Sequence, residues 1–301
     1  MVPAGSANPV HRPMRRFHVL ILSFTHYVFA FSAAMGAISV ALADDAQFDA
    51  AYAGNLAFEA QQSGQWLPDF YRLNPQLNEE QLYAVQAALV RSRLAAGDQI
   101  AGYKGGFIPA APVGGVLGAS GMLADGSKIR ARDFRLLIVE AEIAFRFCAA
   151  VSQPLADIAA LQEVVCEIMP AMEIADGALR DFATVRKDFT HLRSALIALN
   201  VAAKHVLLGA PAPASTIDFS TLEVATRANG EIIGRRDLDK PSNLWANVLW
   251  VVNEFVLKRG YTIDAGHIII PGNLTGIHAA APGRYEIDYG PLGRLSLAVD
   301  P

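Results

Sequence analysis

At 301 residues, 52% hydrophobic and 18% charged, the chain is long enough to bury one large core or two small ones and too apolar for a disordered polypeptide. Its net charge of −4 is unevenly spread: the first 43 residues carry Arg12, Arg15 and Arg16 and no acid, leaving 22 bases against 29 acids in the rest. A body of that sign, with no basic stretch interleaved with aromatics, is not built to hold nucleic acid.

The amino terminus reads as an export leader. Met14-Arg15-Arg16 forms a basic start, and Met14 is an alternative initiator. Residues 19–43 contain no charge, the cleanest apolar run is 28–40, and Ala41-Leu42-Ala43 before Asp44-Asp45 has the small-x-small form of a cleavage site. The expectation is cleavage near Ala43 and a periplasmic protein free of the membrane. An uncleaved anchor is the alternative, since the stretch could just span a bilayer.

Beyond the leader, 44–63 is expected to be a helix with Phe48, Ala51, Tyr52, Leu56 and Phe58 as its apolar stripe. A connector, 66–78, leads to a second helix. There Asn78 is placed to cap and Gln81 to close a capping box, and the helix runs through Leu82, Val85 and Leu89 to a stop at Gly97. The glycine-rich segment 102–121, with Lys104 its one charge, reads as a loop shaped for close backbone approach. Residues 136–147 alternate as a strand that places Glu140 and Glu142 on one face, and a helix is expected near 154–168. Asn229-Gly230 between two short strand patterns is a hairpin signal. Ser242 is read as the cap of a helix to Arg259, closed by Gly260, with further strands at 267–270, 284–289 and 293–299. The sum is an α+β chain with an N-terminal helical portion, 44–110, and a strand-built part, 111–301.

The chemistry is expected at the acids. Glu140 and Glu142 stand one pleat apart among apolar residues, and Glu173 is again a lone acid in the apolar run 168–175. Carboxylates so placed are costly to desolvate unless a cation joins them. Three hard oxygen donors without His or Cys suit Mg2+ or Mn2+. The competing reading is a solvated strand face whose acids pair with Arg135 or Arg146. For Lys104 it is an ordinary surface lysine. Cys148 and Cys166 could pair in an oxidising compartment or remain buried thiols.

Several segments, in order, resemble the 2-keto-4-pentenoate hydratases of the fumarylacetoacetate hydrolase superfamily. They are Leu77-Asn78-Glu79-Glu80-Gln81, Gly102-Tyr103-Lys104-Gly105-Gly106, Glu140-Ala141-Glu142, Pro170-Ala171-Met172-Glu173 and Gly266-His267-Ile268-Ile269-Ile270-Pro271-Gly272. Pro282-Gly283-Arg284-Tyr285 and Leu292-Gly293-Arg294-Leu295 complete the series. The resemblance implies a mixed β-roll with flanking helices, usually in homo-oligomers. It assigns the divalent metal to Glu140, Glu142 and Glu173, the acid–base role to Lys104, and substrate contacts to Lys104, Gly272, Asn273 and Thr275. It implies hydration of a small 2-hydroxy-2,4-dienoic or 2-oxo-enoic acid. Decarboxylation or C–C hydrolysis of a related 2-oxo acid, or non-catalytic binding by an exported protein, are the alternatives. The chain departs from the pattern within 115–121, where Ser120 or a glycine stands in place of the acid many hydratases carry, and at Lys240-Pro241, where His-Pro is common.

Overall fold

Asp49 opens the first helix, α1 (Ala50–Gln62), by accepting the Tyr52 N–H at 2.9 Å. The computed structural model describes residues 48–238 and 241–301; the expected leader, 1–43, and the start of the helix expected from 44 lie outside them. The connector holds a short helix, α2 (Phe70–Leu73), before α3 (Glu79–Ala95). The capping box forms as expected: Asn78 Oδ1 accepts from Gln81 N and Gln81 Oε1 from Asn78 N. Helix α1 packs on α3, and α3 in turn on α6 (Phe189–Ala198). Among the described residues no helix is long and apolar enough to cross a membrane.

The segment expected to be a loop is instead an antiparallel hairpin, β1 (Ile100–Phe107) and β2 (Pro112–Gly118). Its glycines do permit close approach, but within a strand: a Cβ at Gly114 would collide with the Phe255 ring, so a helix lies directly on the strand. The hairpin spans position 110, and Asp49–Pro301 forms one unit. Short strands β3 (Met122–Ala124) and β4 (Lys128–Arg130) precede β5 (Leu137–Phe147), which holds the expected boundaries closely. The helix expected over 154–168 is only about two turns long, α4 (Ile158–Val164), capped by Asp157. From Val165 the chain is already strand, β6 (Val165–Asp176). That strand is buried on both faces, so it lacks the alternation that would distinguish it from a buried helix.

A short α5 (Phe182–Val185) and α6 follow, then β7 (His205–Leu208) and β8 (Ala212–Pro213). The expected hairpin, β9 (Glu223–Ala228) and β10 (Glu231–Asp237), turns at Asn229 and Gly230, both at positive φ. Helix α7 (Pro241–Trp250) begins before Ser242, so Ser242 lies in the first turn and is not its cap; a proline at the first helical position needs no N–H partner. The helix continues as π turns over Val251–Leu257 and ends in a Schellman closure. There Tyr261 N–H reaches Val256 O and Gly260 N–H reaches Leu257 O, as expected for Gly260. Strands β11 (Ile268–Ile270), β12 (His278–Ala279), β13 (Gly283–Asp288) and β14 (Arg294–Asp300) complete the chain.

The first sheet is mixed, in the order β2-β1-β11-β5-β6-β7-β3, with β12 added to β5 and β8 to β6. The second is β10-β9-β13-β14-β4. Cys148 and Cys166, left open by the sequence, are joined in a disulfide with Cα atoms 5.8 Å apart, tying the end of β5 to the start of β6.

Candidate active site

Register brings the acids together. Strands β5 and β6 pair antiparallel with Glu140 directly opposite Glu173, and Glu142 lies two residues along β5 on the same face. One carboxylate oxygen from each lies within 4.8 Å of the others. Further along that face the strands continue as an apolar cluster, with Ala144, Met169, Ala171, Ile268 and Ile270. That cluster shuts water from one side of the acids. Arg146 pairs with Glu167 at 2.7 Å, and no ion pair joins Arg135 to the acids, so the solvated-face reading fails.

Lys104 reaches the acids from β1, a strand set parallel to β11 with Lys104 beside Ile270. It is 4% exposed, and its ammonium donates to Glu173 Oε1 and, at 3.0 Å, to Val201 O. Glu142 and Glu173 are each 1% exposed, while Glu140 is partly open to the cavity. Gly272, at φ +124, turns its N–H onto Glu142 Oε2 at 2.9 Å, and the Asn273 side chain beside Glu140 favours that carboxyl's charged form. Thr275 is not brought to the site: its hydroxyl pairs with that of Thr226 at 2.7 Å, on the second sheet.

Three carboxylates against one ammonium leave the cluster electrostatically unfinished. Burial, then the Glu173 charge, pushes the Glu140 carboxyl up to about 7, with Lys104 pulling the other way. Burial and the two neighbouring glutamates raise Glu142 well above the usual carboxylate range. For Lys104 burial acts first and downward, but the three carboxylates outweigh it and hold the ammonium above its ordinary value. Glu173 Oε2 is buried with no hydrogen-bond partner. An orphaned carboxylate oxygen beside two other carboxylates is the donor set of a hard divalent cation, and these residues fit one.

Sequence reasoning missed the element that holds Lys104 from behind. Asn200, Val201 and Ala202 all lie at φ of 54–56°, a conformation that a β-branched valine rarely adopts. Asn200, fully buried, pins the turn by accepting from Val116 N at 2.7 Å and donating to Val116 O at 2.8 Å. Gln86 braces it further, donating to Gly114 O and Ile197 O. The available signal was Asn200, the one polar residue in the otherwise apolar stretch 195–203.

A cavity of about 430 Å³ opens onto Lys104, Glu140 and Glu173, with Gly272 and Asn273 on its wall. A larger cavity of about 850 Å³ lies around Arg93, Asp98, Lys204 and His205. Its charges are satisfied in pairs, Arg93 with Asp98 and Lys204 with Asp176, and its unpartnered His205 Nδ1 stands apart from any cluster of acids among the described residues, so the unbalanced charge lies at the smaller cavity. Ser120 belongs to that larger cavity and is not on the wall of the smaller one.

No family model matches the chain. It is 27% identical over 241 residues to the 2-oxo-hept-4-ene-1,7-dioate hydratase of Escherichia coli, covering 74% of this chain and 87% of that protein. It is 26% identical over 237 residues to the 4-oxalocrotonate decarboxylase of Pseudomonas putida, covering 74% and 86%. Among solved structures, 4-oxalocrotonate decarboxylase from Pseudomonas putida G7, complexed with magnesium and adipate, superposes with a TM-score of 0.74 at 22% identity, over 83% of this chain and 97% of that one. The mixed roll with flanking helices is therefore the fold found, and the resemblance to the hydratase group holds across the sequence relatives.

Proposed function

We propose that this chain, as a relative of the 2-keto-4-pentenoate hydratase group, is a lyase for a small 2-oxo or 2-hydroxydienoic acid that works with Mg2+ or Mn2+ and carries out hydration. The observation that supports it most is the convergence of Glu140, Glu142 and Glu173 with one oxygen left unpartnered. A cation held there would polarise the 2-oxo group and stabilise negative charge developing on its oxygen. The chain's own residues supply the rest. Lys104 presents a proton at Nζ on the cavity wall, and Val201 O and Glu173 fix its direction. The Gly272 N–H holds the Glu142 carboxylate in place, and Asn273 favours the charged form of Glu140. Lys104 is held charged by the three carboxylates, while burial acts to lower its pKa, so a cation neutralising those carboxylates would weaken its hold on the proton.

Decarboxylation is the second reading, favoured by the 26% identity to the Pseudomonas putida enzyme. Purified protein with 2-hydroxypenta-2,4-dienoate should bleach the dienol absorbance with Mg2+ and not without it. Inert dienol with CO2 evolved from 4-oxalocrotonate would replace hydration by decarboxylation. Tight binding of both acids without turnover would make this a binding protein.

Export belongs to the same proposal. The leader supports it, and so does the Cys148–Cys166 bond, since disulfides persist in oxidising compartments. Intact-mass measurement of the native protein should find a chain starting at or near Asp44. A retained 14–43 segment in the membrane fraction would make it an anchored protein instead.

A further inference from the structure

The cavity over the acids changes character with depth. Lys104 and Glu173 are at its buried end, and Ile138, Leu192, Leu238 and Leu244, all buried, line its middle. Two arginines, Arg186 just after α5 and Arg236 on β10, line it where side chains are exposed. Neither has an ion-pair or hydrogen-bond partner for its guanidinium among the described residues. The contrast with the neighbouring arginine is specific. Arg235 points to the other face of β10 and pairs with Glu223 at 3.2 Å. Strand alternation puts Arg236 on the face of Gly234 and Leu238, turned to the cavity with no acid of the described residues paired to it.

An anionic floor suited to a cation, an apolar middle and a partly apolar rim that carries two arginines match a molecule charged at both ends. We propose that Arg186 and Arg236 form a subsite for the distal carboxylate of a linear 2-oxo diacid, making the protein selective for diacids over monoacids of the same reactive end. The proposal rests on the lyase reading above for the inner end alone. Guanidinium groups suit this task because they present paired donors to a carboxylate. A monoacid would leave both arginines solvated and gain nothing from them. Since the rim is exposed to water, the gain is moderate: roughly tenfold, the scale of a solvent-screened charge-assisted contact. The same two charges offset the negative floor for an approaching anion and favour its entry.

With Mg2+ present, kcat/KM is measured for 2-hydroxypenta-2,4-dienoate and 2-hydroxyhepta-2,4-dienedioate, in the native sequence and in an Arg186→Met, Arg236→Met double variant. The expected diacid-to-monoacid ratio is about ten, falling to near one in the variant. A merely structural loss would lower both substrates and leave the ratio. A native ratio near one, or a ratio unchanged in the variant, overturns the subsite. If neither acid is turned over, calorimetry with 2-oxoadipate and 2-oxohexanoate under Mg2+ reads the same preference. A preference lost in the double variant then keeps the subsite while the lyase reading fails, and equal affinities or no binding overturn the subsite.

Discussion

Replacing Lys104 by Met should lower kcat by roughly 10²–10⁴ while leaving the affinity for Mg2+ undiminished. Methionine keeps most of the stem's bulk inside a site where the lysine is 4% exposed, so the loss isolates the ammonium rather than the packing. The direction for metal is fixed by charge. Lys104 neutralises part of a cluster of three glutamates, and without it their repulsion rises and a divalent cation is bound at least as well. Without metal, the variant should be less stable than the native protein, because Glu173 loses its one ion-pair partner. Thermal melting with and without Mg2+ separates the two effects. Near-normal kcat with a raised KM would reduce Lys104 to a substrate anchor.

The parts of this site that the sequence disclosed are those where chemistry and local pattern agree. Glu140 and Glu142 were legible because β5 alternates, and alternation alone puts them on one face. Glu173 was legible as an anomaly, an acid in an apolar run. Its strand was not, since β6 is buried on both faces and a capped helix, α4, runs directly into it. Lys104 was found through its glycine-rich setting, for the wrong structural reason. Those glycines were read as a loop allowing close backbone approach; the close approach is there, but it is Gly114 in a strand beneath Phe255, a contact 141 residues away in the chain that no local pattern encodes. The left-handed turn at Asn200, Val201 and Ala202 left only one trace in the sequence, a polar Asn200 among apolar neighbours. Neither valine nor alanine favours it, and it persists because Asn200 is bonded twice to Val116. Thr275 failed for a similar reason: its partner, Thr226, comes from the second sheet.

Glu173→Gln should abolish Mg2+-dependent stabilisation and cut kcat/KM by roughly 10³ or more, with a much smaller effect on the metal-free protein. The variant retains the shape of the side chain and removes one charge. Two consequences for the metal-free fold oppose each other. Lys104 loses its ion-pair partner, which destabilises; but the Glu173 charge also raises Glu140 and Glu142, so its removal lets those two ionise more readily beside the same ammonium. For metal binding the consequences do not oppose. The amide is a weaker donor than a carboxylate, and the unpartnered Oε2 that fits a cation is replaced or reoriented. A ligand at 100 times its dissociation constant stabilises a fold by about 2.7 kcal/mol, so the native protein should melt roughly 5–10 °C higher with saturating Mg2+. The variant should show almost none of that shift. Glu167→Gln is the matched control, since Glu167 lies on the same strand but pairs with the half-buried Arg146, away from the cluster. An exposed pair of that kind contributes about 0–1 kcal/mol, and its loss should leave the Mg2+ shift in place. An Mg2+ shift that survives Glu173→Gln unchanged would remove Glu173 from the metal site and leave it as the counter-ion of Lys104.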